Sequence, residues 1–410
     1  MPPAPTSLAP PPIHRVLVGG FPPAVVTGLI GVATGLLISF GDWWIALLAL
    51  VLMRRLAVRP LDYVLGYVAF AVAAWPDMAG GFARQYGHDG PATSLLGLIG
   101  LMAWGALLSL PGLFRFDDRS DRRFHVRAVN TALAWLILPW VLAPVVVLHP
   151  VMAASELFPA TGAVGLIAMA AIVVMLGSVS WQYVVGVLLA LVAVSVSQGN
   201  QPLRGLPKAI AAVNAQHFAP FHGQPGRVEQ LLALLGDVRR ALNAGARIVI
   251  TPELTVAAAD GTYEGFKEGV ARQVADLGAA VWVGTDVQLD GRRHNAMIGI
   301  GDASDTPFVS ALVPLPFVMW KPWQALPAWD AGPRWRQTDV GPLTFMICYE
   351  SVSTLAWIER LRGASLGHGT VAFVSSQWWT TSTRPNTVLS RGAKNFARLT
   401  GSAYVSAIGR

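Results

Sequence analysis

A chain of 410 residues, 53% hydrophobic and only 13% charged, has a mean hydropathy of +0.50. An average soluble domain is roughly 25% charged, so the composition argues against an ordinary cytosolic enzyme, and the length excludes small disulfide scaffolds and disordered-tail readings. A single cysteine, Cys348, forbids an intrachain disulfide, and the formal net charge of +7 points to nucleic acid only if the basic residues gather on one face.

Met1–Pro12 is proline-rich, and no cleaved signal peptide is expected there. Up to about Ser197 the sequence is a series of apolar runs, several of them near the ~20 helical residues that a hydrocarbon core requires. They are Pro23–Phe40, Trp43–Met53, Tyr63–Ala79, Thr93–Leu113, Ala128–Leu148, Gly162–Val179 and Gln182–Val196. Gly41 and Asp42 split the first pair into a tight helical hairpin, which gives about seven spans; a single kinked span would give six. Between the spans the arginines fall in alternate connections: Arg54, Arg55 and Arg59 in one, then Arg115, Arg119, Arg122, Arg123 and Arg127 in another. Gly80–Gly90 carries only Arg84, and His149–Thr161 has no Lys or Arg. The positive-inside rule makes the arginine-rich loops cytoplasmic. Three further crossings then place everything after Ser197 outside the cytoplasm.

From about Gln198 short β-rich runs alternate with charged amphipathic helices, the texture of a layered α/β domain. Strands are expected at Ala209–Gln216, Arg247–Thr251, Ala280–Val287, Asn295–Ile300, Leu343–Cys348, Thr370–Ser375 and Ala403–Ala407. Helices are expected at Arg227–Ala244, Tyr263–Leu277, Ser353–Arg362 and Asn386–Leu399. The chain thus divides into a transmembrane domain, residues 1–197, and an extracytoplasmic domain, residues 198–410.

Candidate chemistry sits at two strand ends. Arg247-Ile-Val-Ile-Thr-Pro-Glu253 delivers a carboxylate, and Leu343-Thr-Phe-Met-Ile-Cys348-Tyr349-Glu350 delivers the thiol, where α/β sheets usually place reactive groups. A thiol becomes nucleophilic once a base takes its proton, and a buried glutamate with a raised pKa can do so. Each residue also has a plainer reading, Cys348 as a small buried hydrophobe and Glu253 as a helix cap.

Pro252-Glu253 and Ile347-Cys348-Tyr349-Glu350 resemble the glutamate and cysteine elements of the nitrilase (carbon–nitrogen hydrolase) superfamily. With a multispan membrane half in front, the likeness is to apolipoprotein N-acyltransferases. Val313-Pro-Leu-Pro-Phe-Val-Met-Trp-Lys-Pro-Trp323 and Gln377-Trp378-Trp379-Thr380 look still more like the TraB-type conjugal-transfer proteins of bacterial plasmids. The resemblance implies an α-β-β-α sandwich on the periplasmic face of the bacterial inner membrane. It also implies Cys-dependent acyl transfer or amide hydrolysis, with Glu253 as base and Cys348 as nucleophile. A membrane lipid or lipoprotein would serve as acyl donor or acceptor, with conjugation-apparatus proteins as partners. Glu350 and Tyr349 would orient substrate, unless Glu350 simply pairs with Arg334 or Arg336.

Two departures from that pattern matter. The acyltransferases carry a lysine three residues before Leu312-Val313-Pro314, where this chain has Val309. Lys321, in the Trp-rich loop, is the candidate replacement for stabilising the oxyanion, against a reading as a snorkelling surface lysine. The acyltransferases also continue past the position of Arg410 into a further span. A catalytically inactive envelope scaffold is therefore the alternative. Trp320, Trp323, Trp329 and Trp335 suit a membrane interface or, in part, a core.

Other motifs carry less. Gly363-Ala-Ser365-Leu-Gly367 has the letters of a nucleophile elbow but lies between a helix and a strand, the reverse of the required order. His217, His222 and His368 lack metal-ligand spacing, so no metal and no cofactor is expected. Nucleic acid is not expected as a partner, because much of the arginine excess lies in the cytoplasmic loops. A channel or transporter would need more ionisable residues within the spans.

Overall fold

A computed structural model describes residues 21–85, 90–113, 124–137, 146–198, 202–215, 227–257, 262–289, 292–303, 308–312, 334–364, 366–377, 380 and 383–409. Through Gln198 the described chain is helical: α1 Pro23–Phe40, α2 Trp43–Leu56, α3 Pro60–Ala74, α4 Met78–Gln85, α5 Pro91–Leu113, α6 Phe124–Ala132, α7 Ala154–Leu157, α8 Ala163–Ser178 and α9 Trp181–Gln198. α6 continues as a wider π turn, Leu133–Ile137, and a 3-10 turn, Pro150–Ala153, leads into α7. α1, α5 and α9 are long and apolar enough to cross a membrane by length and composition, while α3 and α8 are shorter apolar helices.

Each apolar run read from the sequence contains helix, with several boundaries shifted, and residues 138–145 of the run Ala128–Leu148 lie outside the described residues. Tyr63–Ala79 begins instead at Pro60, where the Asp62 carboxylate accepts the backbone N–H groups of Val58 and Arg59 at 3.1 and 2.8 Å. It ends at Ala74, two residues before Pro76, which lacks an N–H and disfavours helix in the residue before it. Gly41 and Asp42 separate α1 from α2, as expected of a hairpin.

After Gln198 come β1 Ile210–Ala212, α10 Arg227–Asn243, β2 Ile248–Ile250, β3 Val256–Ala257, α11 Thr262–Val274, β4 Ala280–Leu289, β5 Arg292–Gly301 and β6 Phe308–Ser310. They are followed by β7 Trp335–Arg336, β8 Leu343–Ile347, α12 Thr354–Leu361, β9 Thr370–Ser376, α13 Arg384–Thr400 and β10 Ala403–Gly409. One sheet has the order β1-β2-β4-β5-β6 with β3 beside β4, and the other has the order β10-β9-β8-β7.

The period-2 alternation of a strand divides the first sheet's two faces. Ile248, Ile250 and Trp282 turn into the core shared with the second sheet, while Val249, Val281 and Val283 pack with Leu234 and Val238 of α10 and Phe266 and Val270 of α11. Trp282 meets Phe345 of the second sheet with ring centroids 4.9 Å apart. β8 and β9 are buried along their whole length, as expected for parallel strands covered on both faces. Helices therefore lie outside two facing sheets.

The sheets are fastened to one end of the helical bundle through α13. Arg384 donates to Ser39 Oγ at 3.1 Å and to the Ala73 carbonyl at 2.9 Å. Arg391 donates to the carbonyls of Gly41 and Ile38. These carbonyls belong to the C-terminal ends of α1 and α3, where a cation also meets the negative end of the helix dipole. Asn395 donates to Glu156, which accepts the Trp44 N–H at the start of α2. At the opposite end of α2, Arg54 donates to the Gly112 carbonyl of α5 at 3.0 Å and Arg55 to the Leu176 carbonyl of α8.

Candidate active site

β2 ends in Thr251-Pro252-Glu253, and the chain turns at once, with Leu254 at φ 52°. Thr255 Oγ1 secures that turn by donating to the Pro252 carbonyl at 2.7 Å, while Thr251 Oγ1 accepts the Gly284 N–H at 3.2 Å. Only glycine fits at position 284, since a Cβ there would lie 2.0 Å from the Pro252 oxygen and 2.8 Å from the Glu253 Cα. The Glu253 carboxylate, 2% exposed, accepts from Asn295 Nδ2 on β5 and from the Ser376 N–H at the end of β9, the latter at 2.9 Å.

β8 ends at Ile347 rather than at Cys348. Cys348 starts a 3-10 turn, Cys348–Val352, and has φ 49°, a left-handed conformation that costs a non-glycine residue roughly 1–3 kcal/mol. This turn brings the thiol beside Glu253, close enough for each group to shift the other's ionisation. Ser375 Oγ approaches the sulfur at 3.8 Å, and the Tyr349 N–H is directed at it. α13 backs the turn so closely that a Cβ on Gly392 would meet the Ser351 carbonyl at 2.3 Å. On the bundle side, the Leu148 N–H donates to the Val352 carbonyl at 3.0 Å.

Burial raises the Glu253 pKa to about 7, against the downward pull of its hydrogen bonds from Asn295, Ser376 and Cys348. Burial, followed by the negative charge at Glu253, pushes the Cys348 thiol well above its ordinary value. The resting pair therefore holds its proton on sulfur. A base with a pKa near the operating pH is well placed to take that proton in a transition state.

Glu350 sits only two residues beyond the thiol and does a different job. It is fully buried, and its Oε2 meets Arg360 Nη2 of α12 at 2.6 Å, Arg360 being fully buried as well. The plainer alternative for Glu350, an ion pair with a nearby arginine, is met here by Arg360. Its Oε2 also accepts the Ile347 N–H at 3.1 Å, and its Oε1 accepts the Leu312 N–H at 2.5 Å. Glu350 thus ties Leu312, just after β6, to the cysteine turn. Tyr349 is buried beside it, 7% exposed, and burial raises its phenol pKa.

Lys321 lies outside the described residues, as do Trp320, Trp323, Trp329, Trp378 and Trp379. Trp335 is described and buried, donating its indole N–H to the Arg360 carbonyl at 2.6 Å, which makes it core. Val309 is buried in β6, paired with Met297 of β5. Among the described residues no group of three or more His, Cys, Asp or Glu is placed to hold a metal ion.

Asn295, Ser376 and Arg360 were not among the candidates drawn from the sequence. Asn295 is an ordinary polar residue inside β5 and Ser376 one at the end of β9, and only the three-dimensional placing of both strands around Glu253 gives them a role. Arg360 did leave a trace, because it shares a helical stripe with the buried Ala356 and Trp357, where a charge needs a partner.

No protein-family profile matches the chain. It is similar to the conjugal transfer protein TraB of Agrobacterium fabrum, with 28% identity over 278 residues, 63% of this chain and 61% of that protein. The chain thus matches less than two thirds of that relative's length. Among solved structures, an amidase from Nesterenkonia sp. aligns at 12% identity over 49% of this chain and 74% of its own, with a TM-score of 0.35. A glutamine-dependent NAD(+) synthetase from Cytophaga hutchinsonii aligns at 17% identity over 49% and 35%, with a TM-score of 0.31.

Proposed function

We propose that the chain is a nitrilase-like membrane protein of the conjugal-transfer TraB type. In this reading residues 1–197 cross the bacterial inner membrane about seven times, and residues 198–410 form an α-β-β-α domain on its periplasmic face. The observation that carries the chemistry is the placing of buried Glu253 and Cys348 beside each other after the ends of β2 and β8, each shifting the other's ionisation. Arg54 and Arg55 at the bundle end away from the sheets support the orientation, since basic residues collect on the cytoplasmic side.

Glu253 takes the thiol proton as Cys348 sulfur attacks the acyl carbon of an ester or amide, forming the C–S bond and an oxyanion. As the tetrahedral species collapses, the bond to the leaving alcohol or amine breaks, and Glu253 returns the proton to it. An amine or water then attacks the thioester, gives its proton to Glu253, and the thiolate leaves to be reprotonated. Lys321 is proposed for the oxyanion, where one donor is worth about 3–4 kcal/mol. Glu350, held by Arg360, and Tyr349 fix the turn that presents the sulfur and border the substrate's path. A membrane lipid or lipoprotein supplies or receives the acyl group, alongside proteins of the conjugation apparatus.

A second reading, an inactive scaffold for conjugation, is favoured by one observation: a buried valine, Val309, stands where the acyltransferases have lysine. Trapping separates the two. An acyl-ester or acyl-amide probe should leave a thioester on the full-length protein that is absent from Cys348→Ala, and Cys348→Ala should abolish plasmid transfer. No thioester together with undiminished transfer would remove the enzyme.

A further inference from the structure

A cavity of about 430 Å³ lies where the bundle meets α12, with neither Glu253 nor Cys348 in its wall. Pockets of roughly 300–1,000 Å³ are the usual size for small-molecule ligands. One wall is the π turn after α6 and the first turns of α8, through Leu136, Leu166 and Ile167; the other is the face of α12 carrying Leu355, Ile358 and Leu361. Such a lining takes a hydrocarbon chain.

Its few polar groups are arranged consistently. His149 in the wall has both ring nitrogens engaged, Nε2 at the Trp135 carbonyl and Nδ1 accepting the Val151 N–H. Burial lowers its pKa to about 4, so it stays neutral at ordinary pH and brings no charge into the cavity. Trp135, also in the wall and 5% exposed, keeps a buried indole N–H with no acceptor among the described residues. A buried donor left without a partner is costly, and an ester carbonyl would satisfy it. Arg362 adds a cation to the lining and is exposed to solvent, its side chain bonded among the described residues to Glu359 at 3.2 Å. On α8, Val164 and Ile167 are 70% and 69% exposed, so this side of the cavity turns outward through an apolar surface.

We infer that this cavity is a binding site for one membrane phospholipid: an acyl chain between α8 and α12, its ester carbonyl at Trp135 and its phosphate at Arg362. The inference rests on the membrane placement proposed above and is independent of the thiol chemistry. The site would join the bundle to α12, the helix that directly follows the cysteine turn, through a lipid rather than through protein alone.

The test uses the full-length protein purified in detergent, titrated with palmitoyl-oleoyl phosphatidylglycerol and read by native mass spectrometry. Unmodified protein and Cys348→Ala should each retain one lipid per chain. Ala170→Phe and Leu355→Phe, which fill the cavity from opposite walls, should lower the bound fraction by about tenfold or more. Thermal melting serves as the folding control, and if either variant fails to fold the exposed Arg362→Glu decides, by weakening phosphatidylglycerol. Equal retention by wild type and the folded variants, or equal binding of diacylglycerol, overturns the site. Carbonate extraction of cell membranes addresses the membrane placement separately: a chain released by carbonate defeats that reading, whatever the purified protein binds.

Discussion

Glu253 and Glu350 are two buried carboxylates at neighbouring strand ends, and the protein treats them in opposite ways. Glu350 is matched with a full positive charge, the equally buried Arg360, and with two backbone N–H groups. Glu253 has neutral donors, Asn295 and the Ser376 N–H, and a thiol. An ion pair holds a carboxylate in one place and makes it structural. Neutral donors in a buried site leave the proton free to come and go, and make the other carboxylate chemical. Two residues of equal burial and identical type thus diverge because of what stands opposite each.

The largest test of this contrast is Glu253→Gln, which should reduce thioester formation by about 10²–10⁴-fold, the usual worth of a general base, measured with the trapping probe. It should also alter stability in a way that Glu350→Gln does not reproduce. The folded-state pKa of about 7 lies above the ordinary 4.5, so across this window the unfolded chain releases a proton that the folded chain keeps. Stability therefore falls as pH rises from about 4.5 to about 7, and melting scans should find that slope reduced in Glu253→Gln.

Arg360→Met comes next. It strands a buried charge and should cost about 3–5 kcal/mol, a drop in melting temperature on the order of 10 °C, and Glu350→Gln on the same chain should restore part of it. A drop no larger than that of a surface substitution would erase the distinction between the two carboxylates.

Asn295→Ala removes a donor that favours the charged form of Glu253. The ascending limb of the pH–rate profile should move upward by about 1–2 units, from a hydrogen bond to charge worth about 1.5–3 kcal/mol. Gly392→Ala is the smallest change, pressing on the Ser351 carbonyl at about 1–3 kcal/mol. It should lower thermal stability while leaving the pH profile in place, because it touches neither carboxylate.

Much of the architecture was legible because it is written in local periodicity. The apolar runs announced helices, and the short β-rich runs Arg247–Thr251 and Ala280–Val287 announced strands. The short β3, β6 and β7, two or three residues each, carry too few residues to show a period and exist only through pairing with neighbours. The site was legible where a residue is chemically conspicuous, as with Glu253, Cys348 and Glu350. It was illegible where a role arises from juxtaposition: Asn295 comes within reach of Glu253 through the pairing of β4 with β5, and Ser376 through the length of β9.

The clasp between α13 and the ends of α1 and α3 has a consequence for how the molecule is made. A growing chain folds broadly from its N-terminus onward, so α1 is among the earliest of these helices to take its place, and α13 is the last described helix to emerge. Arg384 and Arg391 thus find their carbonyl partners already assembled, while the cysteine turn, which leans on Gly392, stays unsupported until that moment. The thiol is set in its final position only once α13 has emerged, so a chain that stalls before that helix would display the bundle without a finished Cys348 site.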